Sequence, residues 1–536
     1  MEAATRSGIA ASSFLARCRS AKFHLSEINK MKNMLFATVS AAALAITAPA
    51  MAQTVNEDTA ENESTILQTG NGNKATVTQN QTEQTASIEQ TGNGHSASVL
   101  QGEGGGGATI NNEATITQKA RADGNGKGES NVTQESNNNA ATVDQTGDGR
   151  ADISQGVNNN FRNGGGNKAT ITQTDLNTTS ASPSSNTIRN VAGITQDGST
   201  NTGIITQKGD ANVALLNQQA AVGSVAPNTD NYAKIDQEGQ DNVLDANQTG
   251  VGNIFNATQT GDDNVTNSFQ SGTSNVASVT QTGNSNEAAI EQKGSGNNAT
   301  VLQTGNLNDV GDASPNSTPG AYNVNPSYSG SSYSPASIGL KQDGVDNLAY
   351  ISQTGRGAAN IDQIGNRNFA GVEQDGVRAL LDINQTGNDN RVTKTKGSNV
   401  SLSQDGDDTI IRADQTGNLN QAELNQIGDR AFIDVDQIGN SNFARTTQAD
   451  SSDASSTISQ TGNSNRAEVT QASWASSSIT QSGNSNQADV TQNANSYSLV
   501  SQTLGHNNVA TVTQGASDWS SVSQAGSSNT ATVTQK

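Results

Sequence analysis

Sulfur, proline, aromatic rings and apolar bulk are all scarce in this sequence, and each shortage excludes something. The single cysteine, Cys18, lies in a leader that is expected to be removed, so no disulfide staples the working chain. Hydrophobic residues make up 31 % and aromatics 3 %, against roughly 45–50 % apolar content in an average globular domain, which excludes a conventional core. Basic residues are outnumbered 29 to 50, so the surface repels nucleic acid. Beyond the leader only His95 and His506 remain of the three histidines, far apart in sequence, and each reads as a substituted turn residue rather than a catalytic base.

Residues 1–52 differ in kind from the rest. From Met31 the chain reads MKNMLFATVSAAALAITAPAMAQ, with a basic start at Lys32, an apolar stretch from Met34 to Ile46, and small residues around Ala50, Met51 and Ala52. That order predicts a secretory signal peptide cut before Gln53, too short in its apolar part to span a bilayer. Residues 1–30 read either as part of this leader or as an over-long reading of a start at Met31. The leader holds six basic residues and two acidic ones, so losing it takes the net charge from −21 to −25.

What the chain has in abundance is a repeat. Glutamine returns every eleventh position at Gln237, Gln248, Gln259, Gln270, Gln281, Gln292 and Gln303, and asparagine follows five residues later at Asn242, Asn253, Asn264, Asn275, Asn286 and Asn297. A glycine sits two residues after each of the first six glutamines, from Gly239 to Gly294. Between turns the chemistry alternates: Asn286, Ala288, Ile290 and Gln292 share one face, while Glu287, Ala289 and Glu291 share the other. That is period two, the signature of a strand. A helix with Gly and Asn in every unit would be poor.

One strand and turn bury almost nothing alone, so the arms must stack. The expected fold is all-β: a β-solenoid of two-arm, strand-turn-strand coils of about 22 residues, rising about 4.8 Å per coil and cross-β in the polymer. Inward valines and isoleucines form a thin seam, contributing roughly 1.5–3 kcal/mol per buried side chain. Inward amides form ladders in which each both donates and accepts. The regular phase of Ala277, Val279, Ala288, Ile290, Ala299 and Val301 favours this over the disorder common in Asn/Gln-rich chains.

The same step runs through Gln68, Gln79, Gln90 and Gln101, then Gln342 to Gln448, with interruptions at 174–195, 219–236 and 309–337. The expected organisation is a leader (1–52), a repeat stack (53–308), a Ser/Tyr/Pro-rich linker or loop (309–337) and a second stack (338–536). Pro183, Pro227, Pro315, Pro319, Pro326 and Pro335 fall in the interruptions, as required if arm N–H groups are needed for ladder bonds. Tyr322, Tyr328 and Tyr333 read as solvated loop residues or a contact patch. Toward the C-terminus the two arms become distinguishable. Turns with Gly462, Gly483 and Gly526 alternate with turns holding Trp474, Tyr497 and Trp519.

At QTGNSNRAEVTQ (Gln460 to Gln471, through Asn465) and QSGNSNQADVTQ (Gln481 to Gln492, through Asn486) the pattern resembles the curlin repeat of bacterial curli fibre subunits, Ser-x5-Gln-x4-Asn-x5-Gln. Gln524, Asn529 and Gln535 close the last unit of the same kind. The leading serine is present at Ser496, whereas Ala454, Ala475 and Asp518 stand at the equivalent positions, and the chain is longer than a typical curlin. The resemblance implies a secreted amyloid subunit that passes an outer-membrane export channel, polymerises with itself at the cell surface with a nucleator subunit, and serves adhesion and biofilm matrix. Physics suggests the same polymer, because open sheet edges at the ends of a stack are templates for another copy. The excess of carboxylates is expected to slow premature pairing.

Other chemistries are weaker. Paired carboxylates are what an acidic repeat yields by chance, so neither catalysis nor a cofactor is expected. Asp405 to Asp408 and Gly261 to Asp263 resemble oxygen-rich turns, but no calcium-binding repeat recurs and no metal site is expected. Outward pairs such as Thr76/Thr78, Thr170/Thr172 and Thr532/Thr534 are not expected to line up on successive coils into an ice-binding array. Trp474 and Trp519 read as sugar-contacting turn aromatics or as edge packing. The alternative function is a monomeric β-solenoid adhesin whose loops bind a carbohydrate or host ligand.

Overall fold

The computed structural model describes residues 55–57, 62–102, 111–122, 124, 126–156, 165–175, 190–220, 229–310, 339–394, 402–448 and 452–536. The expected leader, the six interruption prolines and the three loop tyrosines lie outside the described residues. Among those described, 38 strands and no helix occur, and no helix is long and apolar enough to cross a membrane.

Alternation of small or branched inward residues with polar outward ones makes each arm a strand, and each strand pairs in parallel with the arm one full coil later. Val276–Thr282 lies in register on Asn298–Thr304, with Ala277 on Ala299, Val279 on Val301 and Gln281 on Gln303. The intervening arm belongs to a second sheet, where Val265–Thr273 lies on Glu287–Ser295. Sheet one starts with Glu63–Thr69 and includes Thr530–Thr534; sheet two includes Lys74–Gln79 and Trp519–Ala525. This is the all-β solenoid expected from the repeat. The core between the sheets is a double file of alanine and branched aliphatics, from Val77 and Ile88 to Val512 and Val522, mostly below 3 % exposed. Phe255, fully buried, comes where Ala246 and Ala257 replace the usual branched residue.

Residues 309–337 do not divide two stacks. Asp309–Val310 pairs with Glu287 and Ala288, and Leu340–Val345 resumes on Ile290 and the residues after it. The insertion therefore leaves the middle of one strand, where the partner has only Ala289. A second insertion does the same on sheet one. Val392 pairs with Ala370 and Leu402 with Val372, leaving Gly371 opposite the extra residues. An outward strand position points to solvent, so extra chain can exit there and return without disturbing the inward file, at a closure cost that grows slowly with length. The other interruptions are shorter than expected, since strands resume at Asn190 and Tyr232.

Two further expectations are corrected. One threonine pair does stack on another: Thr532 and Thr534 lie against Thr511 and Thr513, whereas Thr76 and Thr78 meet Ser98 and Leu100, and Thr170 and Thr172 meet Ile204 and Thr206 in the next coil. Tyr497 and Trp519 are the first residues of strands rather than turn residues; Trp474 alone of the three sits in a turn, at φ 62°.

The turns are ruled by close approach. Gly272 has φ 124°, and a Cβ built on it would lie 1.9 Å from the Gly294 carbonyl oxygen in the next coil. The same near-contact recurs in Gly439 against Gly462 and Gly462 against Gly483. Gly252, by contrast, has φ 67°, and a Cβ there would meet only the Ser274 hydroxyl, at an ordinary 3.7 Å. Gly272→Ala should therefore destabilise the chain by more than about 3 kcal/mol, combining strain and clash, while Gly252→Ala should cost about 1–2 kcal/mol. Guanidinium unfolding midpoints of the two variants check the difference.

Candidate functional site: stacked amide columns

The inward glutamine comes last in each arm, where its side chain reaches across the coil. Gln281 shows what it does. One N–H of its Nε2 donates to Gln303 Oε1 in the next coil at 2.8 Å, and Nε2 also donates to the Val265 carbonyl on the facing sheet at 3.1 Å. Its own Oε1 accepts from Gln259 at 2.9 Å. Each amide thus extends its column and ties the two sheets together.

On sheet one this column runs without a gap from Gln68, which donates to Gln90 at 2.6 Å, to Gln514, which donates to Gln535 at 3.2 Å. Gln237, Gln259, Gln281 and Gln303 are consecutive rungs of it, and Gln303 passes straight to Gln353 across the long insertion at 3.0 Å. Gln471 and Gln492 lie in the same column. On sheet two the column runs from Gln79 to Gln524 and takes in Gln248, Gln270 and Gln292, then Gln460 and Gln481. Gln292 likewise crosses the insertion to Gln342 at 2.8 Å.

Asparagines form two more columns at the strand entries. Asn275 donates both its backbone N–H and its Nδ2 to Asn253 Oδ1, each at 3.1 Å, and Nδ2 also donates to the Gly294 carbonyl at 3.2 Å. The glycine and asparagine of the motif are thereby one device, since close glycine stacking brings that carbonyl within reach. Asn253, Asn275, Asn297, Asn465, Asn486 and Asn529 share the column on sheet one. Asn242, Asn264 and Asn286 share the one on sheet two. Glutamine columns donate toward the C-terminus and asparagine columns donate toward the N-terminus, so the stack has a polarity.

The two asparagine columns differ in length. That on sheet one holds asparagine from Asn112 to Asn529, buried throughout except at the last rung. On sheet two the asparagine gives way to Thr409, Ala431, Ala454, Ala475 and Ser496, all buried. A fifth column, unnoticed in the repeat, lies exposed at the turns, where Asn366, Asn388, Asn418, Asn440 and Asn463 bond in series. Its signal was the first asparagine of each Gly-Asn-x-Asn turn.

A family model described as the curlin associated repeat matches residues 261–294, 283–311 and 428–472. The chain carries curlin repeats at these three places. No curated protein matches it. The matched stretches include the regular Asn-Gln-Gly coils, and the same hydrogen-bond pattern extends beyond them in both directions.

The charged residues of this curlin-repeat chain serve the stack from outside. Asp262 Oδ1 accepts the Gln240 backbone N–H at 2.9 Å, and Asp407 Oδ1 accepts that of Val377 at 2.8 Å, so the oxygen-rich turns act as rung-to-rung acceptors. Among the described residues no group of His, Cys, Asp or Glu is placed to hold a metal ion. Arg367 and Asp389, and Arg430 and Asp453, pair in bidentate fashion between successive coils. His506, expected in a turn, is instead the exposed last residue of the strand Tyr497–His506, its Nδ1 accepting from the Asn484 N–H at 3.1 Å.

His95 takes an inward asparagine position and is fully buried; its Nδ1 accepts from the Gly128 N–H at 2.9 Å, which leaves the proton on Nε2. Burial pushes its pKa below 6.5. Asp382 is 4 % exposed and accepts from Asn360 Nδ2 at 2.8 Å. Burial, then the charge of Asp414, raises its pKa to about 6, against the opposing pull of Arg412 and Asn384.

The two groups act in opposite directions. The stabilising contribution of His95 is present above 6.5 and lost as the pH falls through its lowered value, because the unfolded chain binds the proton more readily. That of Asp382 is present below the ordinary carboxylate value and lost as the pH rises through about 6. Amide exchange between pH 7 and pH 5 should therefore loosen the strand Ser96–Gln101 and protect the region of Asp382, and His95→Asn and Asp382→Asn should each abolish the corresponding change. Gln281→Lys places an unpaired charge in a glutamine column and should cost about 3–5 kcal/mol, measured by chemical unfolding.

Proposed function

We propose that this chain is a secreted structural subunit that polymerises with itself into curli-like amyloid fibres, contributing to cell adhesion and biofilm matrix. The observation that carries the reading is the pair of unbroken glutamine columns, from Gln68 to Gln535 and from Gln79 to Gln524. A column that donates at one side of every rung and accepts at the other is not satisfied at any outermost rung, and a further copy in the same orientation satisfies it. Opposite donor directions in the glutamine and asparagine columns favour head-to-tail addition, because a reversed copy would set donor against donor.

The signal sequence supports export, and the curlin match supports a cell-surface destination through an outer-membrane channel with help from a nucleator subunit. The purified chain, incubated alone, should form thioflavin-binding filaments visible by electron microscopy, with a meridional reflection near 4.7–4.8 Å. A chain that stays monomeric with intact β-structure, in the presence as well as the absence of preformed seeds, would sink the proposal.

A further inference from the structure

Sheet two changes character in its last four coils. The outward positions of Ser455–Thr461, Ser476–Asn484, Tyr497–His506 and Trp519–Ala525, from strand entry to the column glutamine, hold serine, threonine, one leucine and two aromatics, and no charge. The coil just before carries Asp434 and Asp436 on the same face. The opposite sheet carries Arg466, Glu468 and Asp489 at the same level. In a chain of net charge −21 this is a neutral window.

Within the window Tyr497 and Trp519 occupy the same column on adjacent rungs. Their ring planes are 2° apart with centroids 6.5 Å from each other, and they are 40 % and 62 % exposed. Trp474, 59 % exposed, stands at the turn leading into the neighbouring strand. Large rings left this open on a face with no apolar cover mark an interaction surface.

We infer that this face binds a neutral polysaccharide. Parallel rings offer flat surfaces for the C–H face of a sugar, and the adjacent hydroxyls both donate and accept toward its OH groups. Absence of charge fits a neutral polymer, whereas a charged one would lose hydration with no countercharge to replace it. The groups sit on paired strands, so little order has to be imposed on binding. A rung repeat suits a ligand with a repeating unit. A second copy of the face is a poorer occupant, since dry pairing of sheets needs interdigitating small residues and both rings stand above the serines. The face is complete within one copy, so it does not depend on polymerisation; a fibre would multiply it and add avidity.

The test is co-sedimentation of the full secreted chain, as monomer and as filament, with amorphous cellulose as the neutral probe and alginate as the acidic one. Binding to cellulose and not to alginate is expected. The double variant Tyr497→Ser/Trp519→Ser should lower the association constant at least tenfold, and Ser478→Glu should do so with both rings in place. Both should keep the β-sheet circular dichroism and filament growth of the parent chain. Trp519→Ser alone, which leaves the core untouched, should give a partial loss if the double variant fails to fold. No binding by the parent chain, or equal binding by Ser478→Glu and Trp519→Ser, overturns the inference. So does loss of side-by-side filament bundling with cellulose binding unchanged, which would assign the face to a second copy.

Discussion

An inward amide in this molecule has one requirement: every N–H and oxygen it takes out of water must meet a partner of its own protein. Stacking like on like meets it. Gln281 receives from Gln259, gives to Gln303, and places its other N–H on a carbonyl of the facing sheet. A buried amide left unpaired costs about 1–3 kcal/mol, so the columns make the parallel register obligatory rather than merely favourable. Sliding one strand by a single residue would set glutamine against an outward position and orphan both neighbours.

Backbone geometry follows from that register. Coils of a parallel stack approach to the strand spacing everywhere, including at the Gly-Asn turns, where a position such as Gly462 admits only glycine: a Cβ there would lie 1.9 Å from the Gly483 oxygen. The glycine carbonyl so exposed is then taken up by an asparagine Nδ2, as Asn465 does with Gly483 at 2.8 Å. Steric exclusion and hydrogen bonding thus select the same short turn, and the core needs only thin residues such as Ala467 and Val469 to fill what remains.

Outward positions carry no such constraint, and variation collects there. Insertions of very different length leave the sheets at the third residue of a strand while the glutamine columns continue beneath them. Charges are arranged between coils, with Arg367 on Asp389 and Arg430 on Asp453. The neutral face of the last four coils of sheet two is left to serine, threonine, one leucine and exposed rings. Buried exceptions are local: His95 at an asparagine position and Asp382 on an outer face respond to acid in opposite senses because one is charged, and the other discharged, by a proton.

The spacing of Gln237 to Gln303, with Gly and Asn at constant offsets, was enough by itself to determine strands, coil size, inward phase and the residues of the columns, because each of those properties is local and repeats. Sequence could not show where the columns lead. Whether Gln292 meets Gln342 beyond a long insertion, or a linker separates two stacks, depends on pairing between residues far apart in the chain, and the continuous register decided it. The direction of each column, the cross-sheet bond from glutamine to a carbonyl, and the alignment of Tyr497 with Trp519 likewise exist only once coil rests on coil. A period fixes what lies above what; only the folded stack fixes the distances and donors between them.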